Sequence, residues 1–199
     1  MSRVTSDISY VASRAGEAPK WSDKFKMGLF RGRDSNKARL TLAELSQTSE
    51  LLDAGITSYN FRKIDVDKWG PKANYVALHD MAKWKYNLLI DGTVAAYRAP
   101  YLFQLGTLIL KQQSEYYEWW YGDIEDGKHY VEIAKDASDV IDKIQWAIDN
   151  DEQARTIAER GARQAEAMLT SENMYCYYAK ALEAYRLFLV KIIDHYDIL

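Results

Sequence analysis

The run Tyr86–Ile90, Tyr-Asn-Leu-Leu-Ile, constrains the fold more than any other segment. It is apolar almost without a break instead of alternating with polar residues, the pattern of a strand buried on both faces, as in a parallel sheet covered by helices. It stops at Asp91-Gly92-Thr93, and residues 94–105 (VAAYRAPYLFQL) then read as a helix that Pro100 kinks or restarts. A second strand-loop-helix unit precedes it. Met27–Phe30 is a strand candidate, Arg31–Arg39 a polar loop running into a helix, and the helix spans Ser35 or Asn36 to about Leu45 with Ser35 available as N-cap. Ile56–Phe61 alternates as a short strand, Trp69–Lys72 is a Gly-Pro turn, Leu108–Lys111 is another buried strand, and His129–Ile133 supplies one more. The segment 114–124 (SEYYEWWYGDI) reads as a short aromatic helix. Strands alternating with helices predict an α/β fold, a Rossmann-like parallel sheet with helices on both faces.

A chain of 199 residues, 48% hydrophobic and 28% charged, is long enough for one core. Residues 1–27 are polar and read as an irregular connecting segment, 28–135 as the Rossmann-like region, and 136–199 as three amphipathic helices packing on the sheet and on one another. The net charge of -3 gives no global basic field, so neither a duplex nucleic acid nor a polybasic membrane contact is expected. The first residues lack an apolar signal core and no stretch reaches the roughly 20 apolar residues of a membrane span. A soluble chain without a secretion signal is the expectation. One cysteine, Cys176, excludes an internal disulfide and a cysteine-based zinc site. The three histidines, His79, His129 and His195, show no metal-binding spacing, and no metal site is expected.

Ligands of parallel α/β sheets bind beyond the carboxyl ends of the strands. Two loops there are unusually polar. The first places Arg31, Arg33, Lys37 and Arg39 around a helix start, where free N–H groups and the helix dipole favour an anion. The second, Asp91–Arg98, offers Gly92 for close approach, small Ala95 and Ala96, and Arg98 further along. Together they suit a pyrophosphate, although neither is a Walker or GxGxxG pattern and solvated or acid-paired arginines remain an open alternative. Asp91 reads either as a helix N-cap or as a contact to the loop or to a ligand hydroxyl. Glu118 reads either as an acceptor for sugar hydroxyls or as a surface charge. Tyr116, Tyr117, Trp119, Trp120 and Tyr121 fit core packing as well as a stacking box. No paired carboxylates, GxSxG elbow or Cys-His arrangement is present.

Taken in order, WSDKFKMGLFRGRDSNKARL, YNLLIDGTVAAYRAPYL, LILKQQSEYYEWWY, KHYVEI and ENMYCYYAKALEAY resemble the Rumi-type protein O-glucosyltransferases. This is the capsule-associated-protein-like (CAP10) family, and the similarity is greatest to its KDEL-motif-containing branch. The resemblance implies the C-terminal, donor-binding half of a GT-B glycosyltransferase, closing with three helices. It implies that Arg33, Arg39 and Arg98 hold a UDP diphosphate, with Ser35 and Asp91 in the same site. Gly92, Val94, Ala95 and Ala96 would line the nucleotide, and Ser114 and Glu118 would lie near the ribose. The activity implied is metal-independent transfer of glucose or xylose from UDP-glucose or UDP-xylose to a serine of an EGF-like repeat. No catalytic residue is assigned, because the family's base lies in the N-terminal half, which this chain lacks. The resemblance further implies the endoplasmic reticulum lumen, although the chain ends HYDIL without a retention tetrapeptide. Cys176 would pair with that missing half or stay a buried free thiol. The alternative function is a non-catalytic interaction module, or a fragment that retains the fold.

Overall fold

The computed structural model describes residues 2–196. Five parallel strands form one sheet: β1 (Phe25–Arg33), β2 (Leu52–Ser58), β3 (Trp84–Leu89), β4 (Leu108–Gln112) and β5 (Val131–Ile133). Their spatial order is β2-β1-β3-β4-β5. The chain leaves β1 toward one edge and returns to add β3 on the other side, so the order reverses between β1 and β3. Loops diverge at such a switch point and leave a crevice beyond the strand ends.

The central strands show why Tyr86–Ile90 is continuously apolar. Phe30, Tyr86, Leu88 and Leu110 enter one core cluster, and Leu29, Leu89 and Ile109 enter another on the opposite face. Helices α2 (Lys37–Leu45) and α5 (Val140–Asp149) cover the first cluster. Helix α1 (Ser2–Ala15), through Ile8 and Val11, and α4 (Ala99–Leu102) cover the second. Helix α6 (Asp151–Met168) serves both, with Ala154, Ile157 and Ala158 in one and Ala165 in the other. Its approach depends on Gly161, where an added Cβ would lie 2.2 Å from the His129 carbonyl oxygen. A short helix α3 (Val66–Trp69) lies in the connection from β2 to β3, and α7 (Ser171–Tyr196) closes the chain.

Several expectations are corrected. The opening segment is not irregular: α1 occupies Ser2–Ala15, because Ile8 and Val11 share a helical face that the surrounding polar residues obscure. Residues 94–98 are not helical. Pro100 takes the second position of α4, where a missing N–H costs nothing, and the preceding loop is closed by the Gly92 N–H donating to Val94 O at 2.9 Å. The aromatic segment forms only a 3₁₀ turn at Tyr121–Asp123, with Trp120 buried edge-on against Phe103. Asn36, not Ser35, caps α2, its side chain accepting from the Ala38 N–H at 2.9 Å. Over residues 175–190 helix α7 does not bury its apolar face on the sheet. Tyr178, Leu182, Tyr185 and Phe188 are all exposed, and Tyr177 stacks on Trp119 at 5.0 Å. Cys176 is exposed, not buried.

Candidate functional site

A cavity of about 690 Å³ opens at the β1–β3 switch point. Its walls are the loop leaving β1, the loop 92–98 leaving β3, and residues brought in from beyond β2. Eight sequence-predicted residues meet there: Arg33, Ser35, Arg39, Gly92, Val94, Ala95, Ala96 and Arg98. Asp91 is buried behind them. Its backbone carbonyl accepts from Arg39 Nε at 2.7 Å and its carboxylate accepts from the Ser114 hydroxyl, so it orders the loop and is not an N-cap of the α4 helix, which follows Arg98. Ser114 and Glu118 lie outside the cavity wall, Ser114 joined to the site only through Asp91 and Glu118 close enough to Tyr121 to raise its phenol pKa beyond what burial does.

The cationic end is held by carbonyl groups and not by ion pairs. Arg39 is 6% exposed, and its guanidinium donates to Asp91 O at 2.7 Å, Ile90 O at 2.9 Å and Arg33 O at 3.3 Å. Arg98 donates to the carbonyl of Arg31. Both guanidiniums lie over the Phe30 ring, at 5.5 and 5.7 Å from its centroid. Burial, and then the neighbouring Arg98 charge, pull the Arg39 pKa down to about 10, with Asp91 and Tyr97 acting the other way. Burial likewise lowers that of Arg98. Among the described residues no carboxylate lies within ion-pair distance of Arg33, Arg39 or Arg98. Two repelling cations held by neutral carbonyls are a site that an anion relieves. Arg31 differs, being paired with Asp53 at 2.6 Å.

Sequence reading missed the other end. Phe61, Tyr75, Val76 and Leu78 line the cavity from the β2–β3 connection, and Tyr97 joins them from the loop after β3. Only Tyr97 belongs to the DGTVAAYR loop; the rest are separated from Arg33, Arg39 and Arg98 by 20 residues or more and carry no local signal. Asp34 is the other omission. Beside three arginines it looks like their counterion, yet it is buried and accepts the N–H groups of Asn60, Phe61 and Arg62 at 2.8, 3.0 and 2.7 Å.

A second cavity, of about 640 Å³, lies at the opposite end of the strands. Part of its charge is paired, Asp151 with Lys85 at 2.5 Å and with Trp21 Nε1 at 3.1 Å, and Arg155 with Glu159 at 2.8 Å, while Lys24 donates to the Ala82 carbonyl. Among the described residues, no three His, Cys, Asp or Glu side chains converge as metal ligands, and no helix is long and apolar enough to cross a membrane.

The chain is a doubly wound parallel α/β domain with a cationic crevice at its switch point. Its fold is that of a GT-B glycosyltransferase half. Anabaena HepE in complex with UDP-glucose superposes with a TM-score of 0.60 at 14% identity, over 90% of this chain and 53% of that one. TarM superposes at 0.56 with 15% identity, over 82% and 36%. The model of glycosyl transferase family 90 matches residues 1–194, and the chain belongs to that family. It is 44% identical over 186 residues to human protein O-glucosyltransferase 3, and 32% identical over 171 residues to human protein O-glucosyltransferase 1. Those alignments cover 93% and 85% of this chain but only 36% and 44% of the relatives. The chain thus spans less than half the length of these curated relatives.

Proposed function

We propose that this chain is the donor-binding part of a UDP-sugar-dependent protein O-glucosyltransferase, and that the crevice at the β1–β3 switch point holds the UDP moiety. The observation carrying this reading is the pair of guanidiniums without an ion-paired carboxylate, buried Arg39 and half-buried Arg98, over Phe30 and beside the Gly92 loop. Family membership supplies the chemistry: a sugar leaves UDP for a protein hydroxyl, in this reading a serine of an EGF-like repeat.

Negative charge grows on the β-phosphate as the sugar–oxygen bond breaks. Arg33 and Arg98, with the remaining donors of Arg39, stabilise that charge in a partly desolvated crevice, where each charge-assisted hydrogen bond is stronger than in water. The small Ala95–Ala96 stretch lets the phosphates approach the loop, and at Gly92 the side-chain position faces Arg39 Nη2 and Ser35 Oγ, each 3.4 Å from where a Cβ would lie. In this account the guanidiniums do the work that a divalent cation does elsewhere, and transfer is metal-independent. No residue of this chain is assigned to deprotonate the acceptor hydroxyl. That base, and the acceptor site, belong to the further length that the relatives possess, and the endoplasmic reticulum lumen is the compartment this reading implies.

Titration calorimetry in the presence of EDTA tests the proposal: UDP and UDP-glucose bind, and adding magnesium changes the affinity less than about threefold, under 1 kcal/mol. Binding only with a divalent cation would remove the metal-independent account, and no nucleotide binding in either condition would remove the donor-site reading.

A further inference from the structure

The segment between β2 and β3 makes an excursion whose two ends are pinned. It leaves β2 at Ser58 and is back beside that strand at Ala73, whose N–H donates to Ile56 O at 2.9 Å. Gly55 accommodates this return, since a Cβ there would lie 2.4 Å from Ala73 Cβ. Inside the excursion Tyr59 stacks on Trp69 with ring centroids 6.2 Å apart. A loop of about this length packed by its own side chains behaves as a preformed unit. It carries Phe61, and the chain just beyond it carries Tyr75; both rings line the cavity and both are largely exposed.

The departing end is held from outside. Asp34, 1% exposed, sits at the end of β1, and its two carboxylate oxygens accept three consecutive backbone N–H groups, from Asn60, Phe61 and Arg62. Because its lone pairs are engaged there, it forms no ion pair with adjacent Arg33, and the crevice keeps its positive charge. We infer that Asp34 is a positioning residue acting through residues 60–62: it fixes the aromatic wall against which the ring end of a nucleotide stacks, while leaving the arginines to its phosphates. This rests on the donor-site reading above and adds to it a division of the cavity into an arginine end and an Asp34-dependent ring end.

The test titrates this chain separately with UDP and with inorganic pyrophosphate. The wild-type chain binds UDP more tightly than pyrophosphate. Asp34→Ala weakens UDP about tenfold, the scale of one lost base–aromatic stack, and leaves pyrophosphate within about twofold. Asp34→Asn, which keeps one acceptor oxygen, recovers part of the loss. A combined Phe61→Ala and Tyr75→Ala variant removes two exposed rings without touching the anchor and gives the same split; if Asp34→Ala does not fold, Asp34→Asn tests the anchor, and UDP affinity unchanged in the Asp34 variants overturns its positioning role. Parallel weakening of both ligands, or unchanged UDP affinity in the ring variant, overturns the inference and leaves the donor site standing. A wild-type chain that binds neither ligand overturns both.

Discussion

The guanidinium of Arg39 commits N–H groups to three backbone carbonyls, whereas Arg98 commits one nitrogen to the Arg31 carbonyl. The two arginines therefore respond differently to truncation. Arg39→Ala leaves several buried carbonyls without a donor and lowers unfolding free energy by about 3 kcal/mol, read by urea denaturation. Arg98→Ala acts mainly on the ligand, weakening UDP tenfold to a hundredfold, about 1.5–3 kcal/mol for a lost charged hydrogen bond. Asp34 gives a pH signature. Burial acts to raise its pKa, but the backbone N–H groups of Asn60, Phe61 and Arg62 outweigh burial and hold it below the ordinary aspartate value of 3.8. A carboxylate with a lowered folded-state pKa contributes its stability above the unfolded value and loses it as the pH falls through the folded one. The stability gap between wild type and Asp34→Ala accordingly narrows as the pH drops below 3.8. Residue types marked the arginines as candidates for an anion in sequence, with a solvated or acid-paired cluster as the open alternative, and the structure brings Arg33, Arg39 and Arg98 to one cavity. Asp34 was not legible, since an acid next to arginines announces an ion pair and its true partners are backbone groups 26–28 positions away.

At the level of elements, the strands were readable where burial on both faces forces an unbroken apolar run, as in β3 and β4. Connections were not. Pro100 was visible, but whether it kinks a helix or starts one depends on the loop before it, which the Gly92–Val94 hydrogen bond closes. The helical face of α1 was hidden in polar surroundings, and the exposure of α7 cannot be inferred from its periodicity, which matches that of a packed helix. Gly161 provides the sharpest test of the α6 docking. A Cβ there meets a backbone carbonyl, which cannot rotate away as a side chain does, so Gly161→Ala lowers stability by about 2–3 kcal/mol despite alanine's better helix propensity. A stabilised variant in chemical denaturation would show that α6 sits farther from the His129 carbonyl.

The whole molecule is a doubly wound sheet whose order reversal places an arginine end and an aromatic end in one crevice. The order of its motifs, not any one of them, made the family readable, because each loop alone is compatible with a solvated surface. The surface of α7 is a property of the molecule at this scale: it presents Leu182, Tyr185 and Phe188 to solvent, outside both core clusters. The central claim is that the unpaired cations at the switch point exist for a nucleotide diphosphate. Any ligand that binds the folded state selectively raises its apparent stability by RT ln(1 + [L]/Kd), about 2.7 kcal/mol at a hundredfold excess over Kd. The direct measurement is the melting temperature of this chain and of Arg98→Ala with and without UDP at constant ionic strength. The account predicts a rise of several degrees for the wild-type chain and little or none for Arg98→Ala, with similar melting temperatures for the two without ligand. Equal shifts in both proteins, or none in a well-folded wild-type chain, would contradict it.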